Sequence, residues 1–202
     1  MTTVRHVDRL WNANVWGKLL RELLISRPES SPRLEVELHS LVATAALAMI
    51  RLDELNQSHT PLFAKLLRAV LASQDRDGGW RDVATTALCL RALLIDAGHG
   101  PAIDGGLRYL AMLQRDEGAW PKEPLRRMPG DGFTTALVLF HLADRAELRD
   151  AARVDDAAAW MNRHAVELDP DAKRLWGLAS LRCRSSLRAH TSTPELWPRR
   201  CA

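Results

Sequence analysis

Cysteine and histidine are the side chains most able to hold a metal or act as nucleophiles, and their spacing decides whether they do. Cys89, Cys183 and Cys201 are odd in number and far apart, and none sits in a CxxC pair. Neither a disulfide framework nor a zinc cluster follows, so all three read as reduced thiols. His39, His59, His99, His141, His164 and His190 stand singly, and no two share a helix face at the i, i+4 spacing of a ligating pair. No metal site and no cofactor are therefore expected. The acidic pairs Asp75/Asp77 and Asp155/Asp156 fall where surface turns are expected, the ordinary setting for such residues.

The elements that position these residues are helical. Apolar residues recur at three- and four-residue steps from Val7 through Leu10, Trp11, Val15 and Leu19, which predicts an amphipathic helix over about 6–26. Pro28, Ser30, Ser31 and Pro32 break it. Further helices are predicted near 34–55, 60–74, 82–96, 102–114, 132–144, 149–164 and 170–184, and nothing alternates with period two for long enough to form a strand. A chain of 202 residues with 47% hydrophobic and 26% charged residues is the size and composition of one globular domain. The longest apolar stretch, Leu41 to Ile50, is too short to span a bilayer. The N-terminus lacks the apolar core of a secretory signal, so cytoplasmic residence is expected.

Self-alignment is the most informative reading. Val42-Ala-Thr-Ala-Ala-Leu47 lies over Val83-Ala-Thr-Thr-Ala-Leu88 at an offset of 41. Gln74, Gly78 and Trp80 lie over Gln114, Gly118 and Trp120 at an offset of 40. Thr85-Thr86-Ala87-Leu88 recurs as Thr134-Thr135-Ala136-Leu137 at an offset of 49, leaving about nine residues inserted between Trp120 and Asp131. A worn last copy places Trp160 over Tyr109 and Asp171 over Asp131, with Ala165 in the place of Gln114. Such a period is two helices and two turns, a unit that must stack on its neighbours to bury its apolar stripe. The expected domain is a single helical-hairpin stack over 1–184, capped by the 6–26 helix, with a basic C-terminal tail over 185–202.

Each repeated residue has a physical role. A Gln at a helix end can bond orphan carbonyls, Gly permits a left-handed exit, and Trp covers the junction with a large apolar face and one N–H donor. Asp82 and Asp131 precede Thr-Thr-Ala-Leu runs and should cap the helices that follow. The insert 121–130 breaks the period, and insertions in stacked repeats map to binding faces, so Arg126, Arg127 and Met128 are candidate contact residues.

The segment from Gly106 through Tyr109, Gln114 and Gly118 to Trp120 resembles the QW motif of squalene and oxidosqualene cyclases, and Gln74 to Trp80 matches its C-terminal half. The resemblance covers roughly residues 35–180. It implies a partial or small all-α α/α toroid of the kind shared by terpenoid cyclases and protein prenyltransferase β subunits, with the QW residues architectural. In class II cyclases of that superfamily the middle Asp of an Asp-x-Asp-Asp motif protonates the substrate. Asp169-Pro170-Asp171-Ala172 is similar with its last Asp replaced, so the resemblance implies Asp171 as acid and Asp169 as its neighbour. The bland reading is a helix start. The prenyltransferase zinc set and an Asp-rich magnesium site have no counterpart in spacing.

With roughly four hairpins and an N-terminal helix, the chain is expected to leave an open arc whose ends need covering, by Trp11 and Trp16 at one end and Trp176 at the other. The leading expectation is a non-catalytic scaffold that binds another protein or a second copy, with an apolar isoprenoid ligand as a lesser option, through its concave face and the insert. The alternative is a cyclase-like or prenyltransferase-like enzyme acting on an isoprenoid in a site completed by a partner. Nucleic-acid binding is a minor third. Lys173, Arg174, Arg182, Arg184, Arg188, Arg199 and Arg200 concentrate the positive charge, but no aromatic-basic interleaving accompanies them.

Overall fold

A computed structural model describes residues 32–96, 98–125 and 127–190. Among them all regular structure is helical, and the extended pairings are two isolated bridges, Trp80 with Asp82 and Pro121 with Gly130. The helices are α1 (Pro32–Glu54), α2 (Pro61–Ala72), α3 (Val83–Leu93), α4 (Gly100–Leu113), α5 (Gly132–Leu142), α6 (Ala146–Ala151), α7 (Val154–Arg163) and α8 (Pro170–His190). Residues 1–41 and 42–202 form two compact units. The first contributes the leading turns of α1 to the described residues, and the second holds everything from Val42 onward. The expected helix over 6–26, with Trp11 and Trp16, lies outside the described residues.

Local chemistry starts these helices where the sequence says it should. Thr60 caps α2 by accepting from the Phe63 N–H, and Pro61 occupies the first turn, where a missing N–H costs nothing. Asp82 caps α3 and Asp131 caps α5. Nine of the eleven residues of α3 are buried, so this helix is interior on all sides, as its nearly unbroken apolar composition requires. It packs against α4 and α5, and α5 in turn packs against α7 and most extensively against α8. Leu90, Leu93, Leu110, Leu139 and Leu142 are fully buried in one cluster, each contributing on the order of 2 kcal/mol by leaving water.

Two boundaries differ from the periodicity. The helix expected over 149–164 is two, α6 and α7, because the backbone turns extended at Ala152 and leaves the helical region at Arg153, where a side chain from another element takes the polar groups a continuous helix would use. The last helix passes residue 184 and ends at His190, so the segment expected as a tail begins as helix. Trp176 is half-buried and packs against the core. Among the described residues no helix is long and apolar enough to cross a membrane.

Candidate functional site

Two junctions, one between α2 and α3 and one between α4 and α5, are built from the same bonds. At the first, Trp80 is buried, and its indole Nε1 donates to the Val70 carbonyl at 2.8 Å. At the second, Trp120 is fully buried and donates to the Leu110 carbonyl at 2.8 Å. Both acceptors lie in the last turn of the preceding helix, and each also accepts a main-chain N–H, from Ser73 at Val70 O and from Gln114 at Leu110 O. The indoles are thus second donors to helix-end carbonyls, which the glutamine side chains, expected to bond them, do not reach.

The glutamines reach elsewhere. Gln74 Nε2 donates to Gly78 O at 2.7 Å and across to Ala102 O, in the first turn of α4, at 2.8 Å. Gln114 Nε2 donates to Gly118 O at 2.7 Å and to Arg153 O at 3.0 Å, and Gln114 Oε1 accepts from the Arg153 N–H at 2.9 Å. Each glutamine thus closes its own turn and hooks the start of a later helix, Gln74 that of α4 and Gln114 that of α7. Arg153, held on both backbone groups, is the residue at which α6 and α7 separate.

Between Gln and Trp the chain reverses through Gly78 (φ 91°) and Gly118 (φ 97°), a left-handed backbone that favours glycine. Space demands glycine too. A Cβ on Gly78 would lie 2.5 Å from Gly105 O, and one on Gly118 would lie 2.5 Å from the Asp156 carbonyl carbon. Close approach of turn and helix is what brings each glutamine within reach of its second partner.

The paired threonines complete both junctions, a role the repeat signalled without revealing. The first of each pair joins the cap, since Asp82 accepts from the N–H and hydroxyl of Thr85, and Asp131 from those of Thr134. The second is buried, and its hydroxyl accepts from the main-chain N–H of a tryptophan: Trp80 to Thr86 at 2.9 Å, Trp120 to Thr135 at 3.0 Å. Two threonines facing a core carry no unmatched polar group as a result.

The junctions differ in what lies between Trp and the capping Asp. At the first, the single residue Arg81 takes a left-handed φ of 66°. Its N–H donates to Asp75 Oδ2, and its carbonyl accepts from Tyr109 Oη at 2.8 Å. Burial, with Asp77, Asp82 and Asp75 nearby, pushes the Tyr109 hydroxyl up from its ordinary ionisation range. At the second, the insert leaves and returns through the Pro121–Gly130 bridge, and the Asp131 N–H still donates to Trp120 O at 2.8 Å, as Asp82 does to Trp80 O at 2.9 Å. The loop is extruded from an unchanged junction.

Arg115 holds that loop. It occupies the position after the glutamine that Asp75 holds at the first junction, and it donates from Nε to Met128 O at 2.9 Å and from Nη2 to Leu125 O. Arg153 in turn donates to Arg115 O at 2.7 Å, tying the clasp to the glutamine hook. Lys122, Glu123, Pro124, Leu125, Arg127 and Pro129 are exposed, and Leu125 is 55% exposed. Of the expected contact residues, Arg127 is exposed, Met128 is half-buried with its carbonyl engaged, and Arg126 lies outside the described residues. Arg115 was not among the expected contact residues, because its partners are main-chain carbonyls that any sequence supplies.

The candidate acid is placed differently from the alignment. Asp169 Oδ1 accepts from the N–H groups of Asp171 and Ala172, both at 2.9 Å, so Asp169 caps α8 and is the counterpart of Asp82 and Asp131. Asp171 is the second residue of α8, its side chain 75% exposed, 3.8 Å from Arg174. Cys89 is fully buried, and desolvation, with Asp82 adding to it, pushes its thiol far above the ordinary range. Among the described residues no three His, Cys, Asp or Glu side chains are grouped to hold a metal ion. No family model matches the chain, and no curated protein matches it.

Proposed function

We propose that the chain is a helical-hairpin scaffold of the α/α-toroid type, and that its extruded loop at 121–130 is a contact surface for a protein partner. The observation that carries this reading is the relation of loop to junction. The loop is absent from the first junction and leaves the second unaltered, so the fold does not need it. Arg115 nevertheless fixes its backbone with two hydrogen bonds while Leu125 stays in water. A loop ordered in advance loses less conformational freedom on binding, and an exposed apolar residue on it supplies an anchor.

The toroid assignment rests on the QW-like spacing together with the matched bonding of the two junctions. The isoprenoid-cyclase alternative rests on Asp171, whose carboxylate is exposed beside an arginine, not desolvated among carboxylates as an acid of that type requires. No observation favours it over the scaffold.

The test replaces residues 121–130 with one glycine, copying the single-residue link at Arg81. Far-ultraviolet circular dichroism and the urea midpoint are expected to stay close to wild type, while a partner recovered by the wild-type chain from its native lysate is lost. Arg115→Ala, with the loop present but unclasped, should weaken capture without unfolding the chain. Collapse of the fold on loop removal, or capture unchanged by both variants, would sink the proposal.

A further inference from the structure

The 121–130 loop has a chemical counterpart elsewhere on the same chain. Lys122, Leu125 and Arg127 are exposed on it, and Leu125 lies in sequence between the two cations. Among the described residues neither Lys122 nor Arg127 is in an ion pair. The two bonds from Arg115, to Met128 O and Leu125 O, hold the backbone that carries Leu125 and Arg127, so little of their arrangement is left to be ordered on contact. The loop thus offers an apolar anchor flanked by positive charge, and its complement is an apolar hollow with an acidic rim.

Such a hollow lies between α4 and α6. It is a shallow groove of about 730 Å³, with Pro101, Asp104, Leu107 and Arg108 on one wall and Glu147 and Asp150 on the other. Leu107 and Pro101 make it apolar, while Asp104, Glu147 and Asp150 leave the lining net negative against Arg108, whose Nε donates to the Asp104 carbonyl of its own helix. Among the described residues none of these three carboxylates is in an ion pair. Groove and loop belong to opposite ends of α4: the groove takes the helix from Pro101 to Arg108, and the clasping Arg115 lies just past its last residue, Leu113.

The geometry points to a second copy of this chain as the loop's partner: Leu125 of one copy enters the α4–α6 groove of the next and covers Leu107 and Pro101, while Lys122 and Arg127 meet Asp104, Glu147 and Asp150. This names the occupant for the contact surface proposed above and rests on that reading. Charge complementarity selects the pairing and fixes its orientation. A leucine seated in a hollow and ringed by charges is the usual form of an interface anchor with a polar rim. Because loop and groove are different patches, the contact is heterologous, so copies add head to tail into a ring or a filament.

Sedimentation velocity and light scattering of the full chain test this. Wild-type mass is expected to rise with concentration above the 22.6 kDa of one copy and to fall back as salt is raised. Leu125→Asp/Arg127→Glu, which spoils only the loop, and Asp104→Lys/Asp150→Lys, which spoils only the groove, should each remain at one copy. All four positions are exposed, and circular dichroism verifies that both variants fold. Mixed in equal amounts, the two variants should form a complex of twice the single-copy mass and nothing larger, since one intact loop then meets one intact groove. A wild-type chain that stays at one copy, a variant that associates like wild type, or a mixture that stays at one copy overturns the self-pairing. The loop reading itself fails separately, by the removal of residues 121–130 described above, since a loop that holds a different protein is lost to that test and indifferent to the groove variant.

Discussion

Replacing Gln114 with alanine removes three hydrogen bonds at once, to Gly118 O, Arg153 O and the Arg153 N–H. Gln114 is 9% exposed, so water does not fully replace its amide. At a net worth of about 1 kcal/mol each, with an added penalty for carbonyls left dry, the loss is roughly 3–4 kcal/mol. For a chain of this size that lowers the thermal midpoint by roughly 6–16 °C. Gln74→Ala provides the internal scale: it removes two bonds at a half-buried site and should cost about 1–2 kcal/mol. Gln114→Glu preserves the acceptor for Arg153 N–H but sets a carboxylate against two carbonyls, so it should be no better than alanine. Urea unfolding followed by circular dichroism, with slopes compared, gives all three values. A cost for Gln114→Ala within about 0.5 kcal/mol of zero, the ordinary range of surface substitutions, or one smaller than for Gln74→Ala, would refute the assignment of Gln114 as the tie between the α4–α5 junction and α7.

Three further outcomes are expected. Gly118→Ala combines a left-handed φ with a Cβ 2.5 Å from the Asp156 backbone and should cost about 3 kcal/mol or more, whereas Gly177→Ala, in open space on α8, should stabilise by about 0.5–1 kcal/mol; thermal melts of both report the contrast. Asp169→Ala removes the cap of α8 and should cost about 1 kcal/mol, while Asp171→Asn should stay within about 0.5 kcal/mol of wild type, read by the same melts. Cys89 is protonated in the fold and ionises once unfolded, so its contribution is complete below the unfolded thiol pKa of about 8.5 and declines above it by up to about 1.4 kcal/mol per pH unit. Urea midpoints should therefore fall above about pH 8.5, and Cys89→Ala should flatten that fall until Tyr109, shifted the same way, begins to contribute near pH 10. An unchanged slope in Cys89→Ala would contradict the buried-thiol reading.

What the sequence determined is local. Helix starts were legible at Asp82 and Asp131 because a capping carboxylate accepts from the N–H three residues on, a distance fixed by the helix itself. The all-helical class followed from a period that each hairpin repeats. Gly78 and Gly118 could be read as left-handed exits because only glycine takes that backbone without strain. The spacing of Trp80 and Trp120 marked the junctions they cover, although it is the indoles and not the glutamine side chains that bond the helix-end carbonyls.

What only the tertiary structure decided depends on partners that leave no trace in side-chain type. Gln74 and Gln114 bond the backbones of Ala102 and Arg153, and Arg115 bonds the carbonyls of Leu125 and Met128; a main-chain group looks the same at every position. The split between α6 and α7 came from such a bond, and periodicity over 149–164 had no means of registering it. Asp171 aligned with Asp131 by residue identity, yet capping geometry assigned the position to Asp169, because a cap is defined by which N–H groups point at the carboxylate.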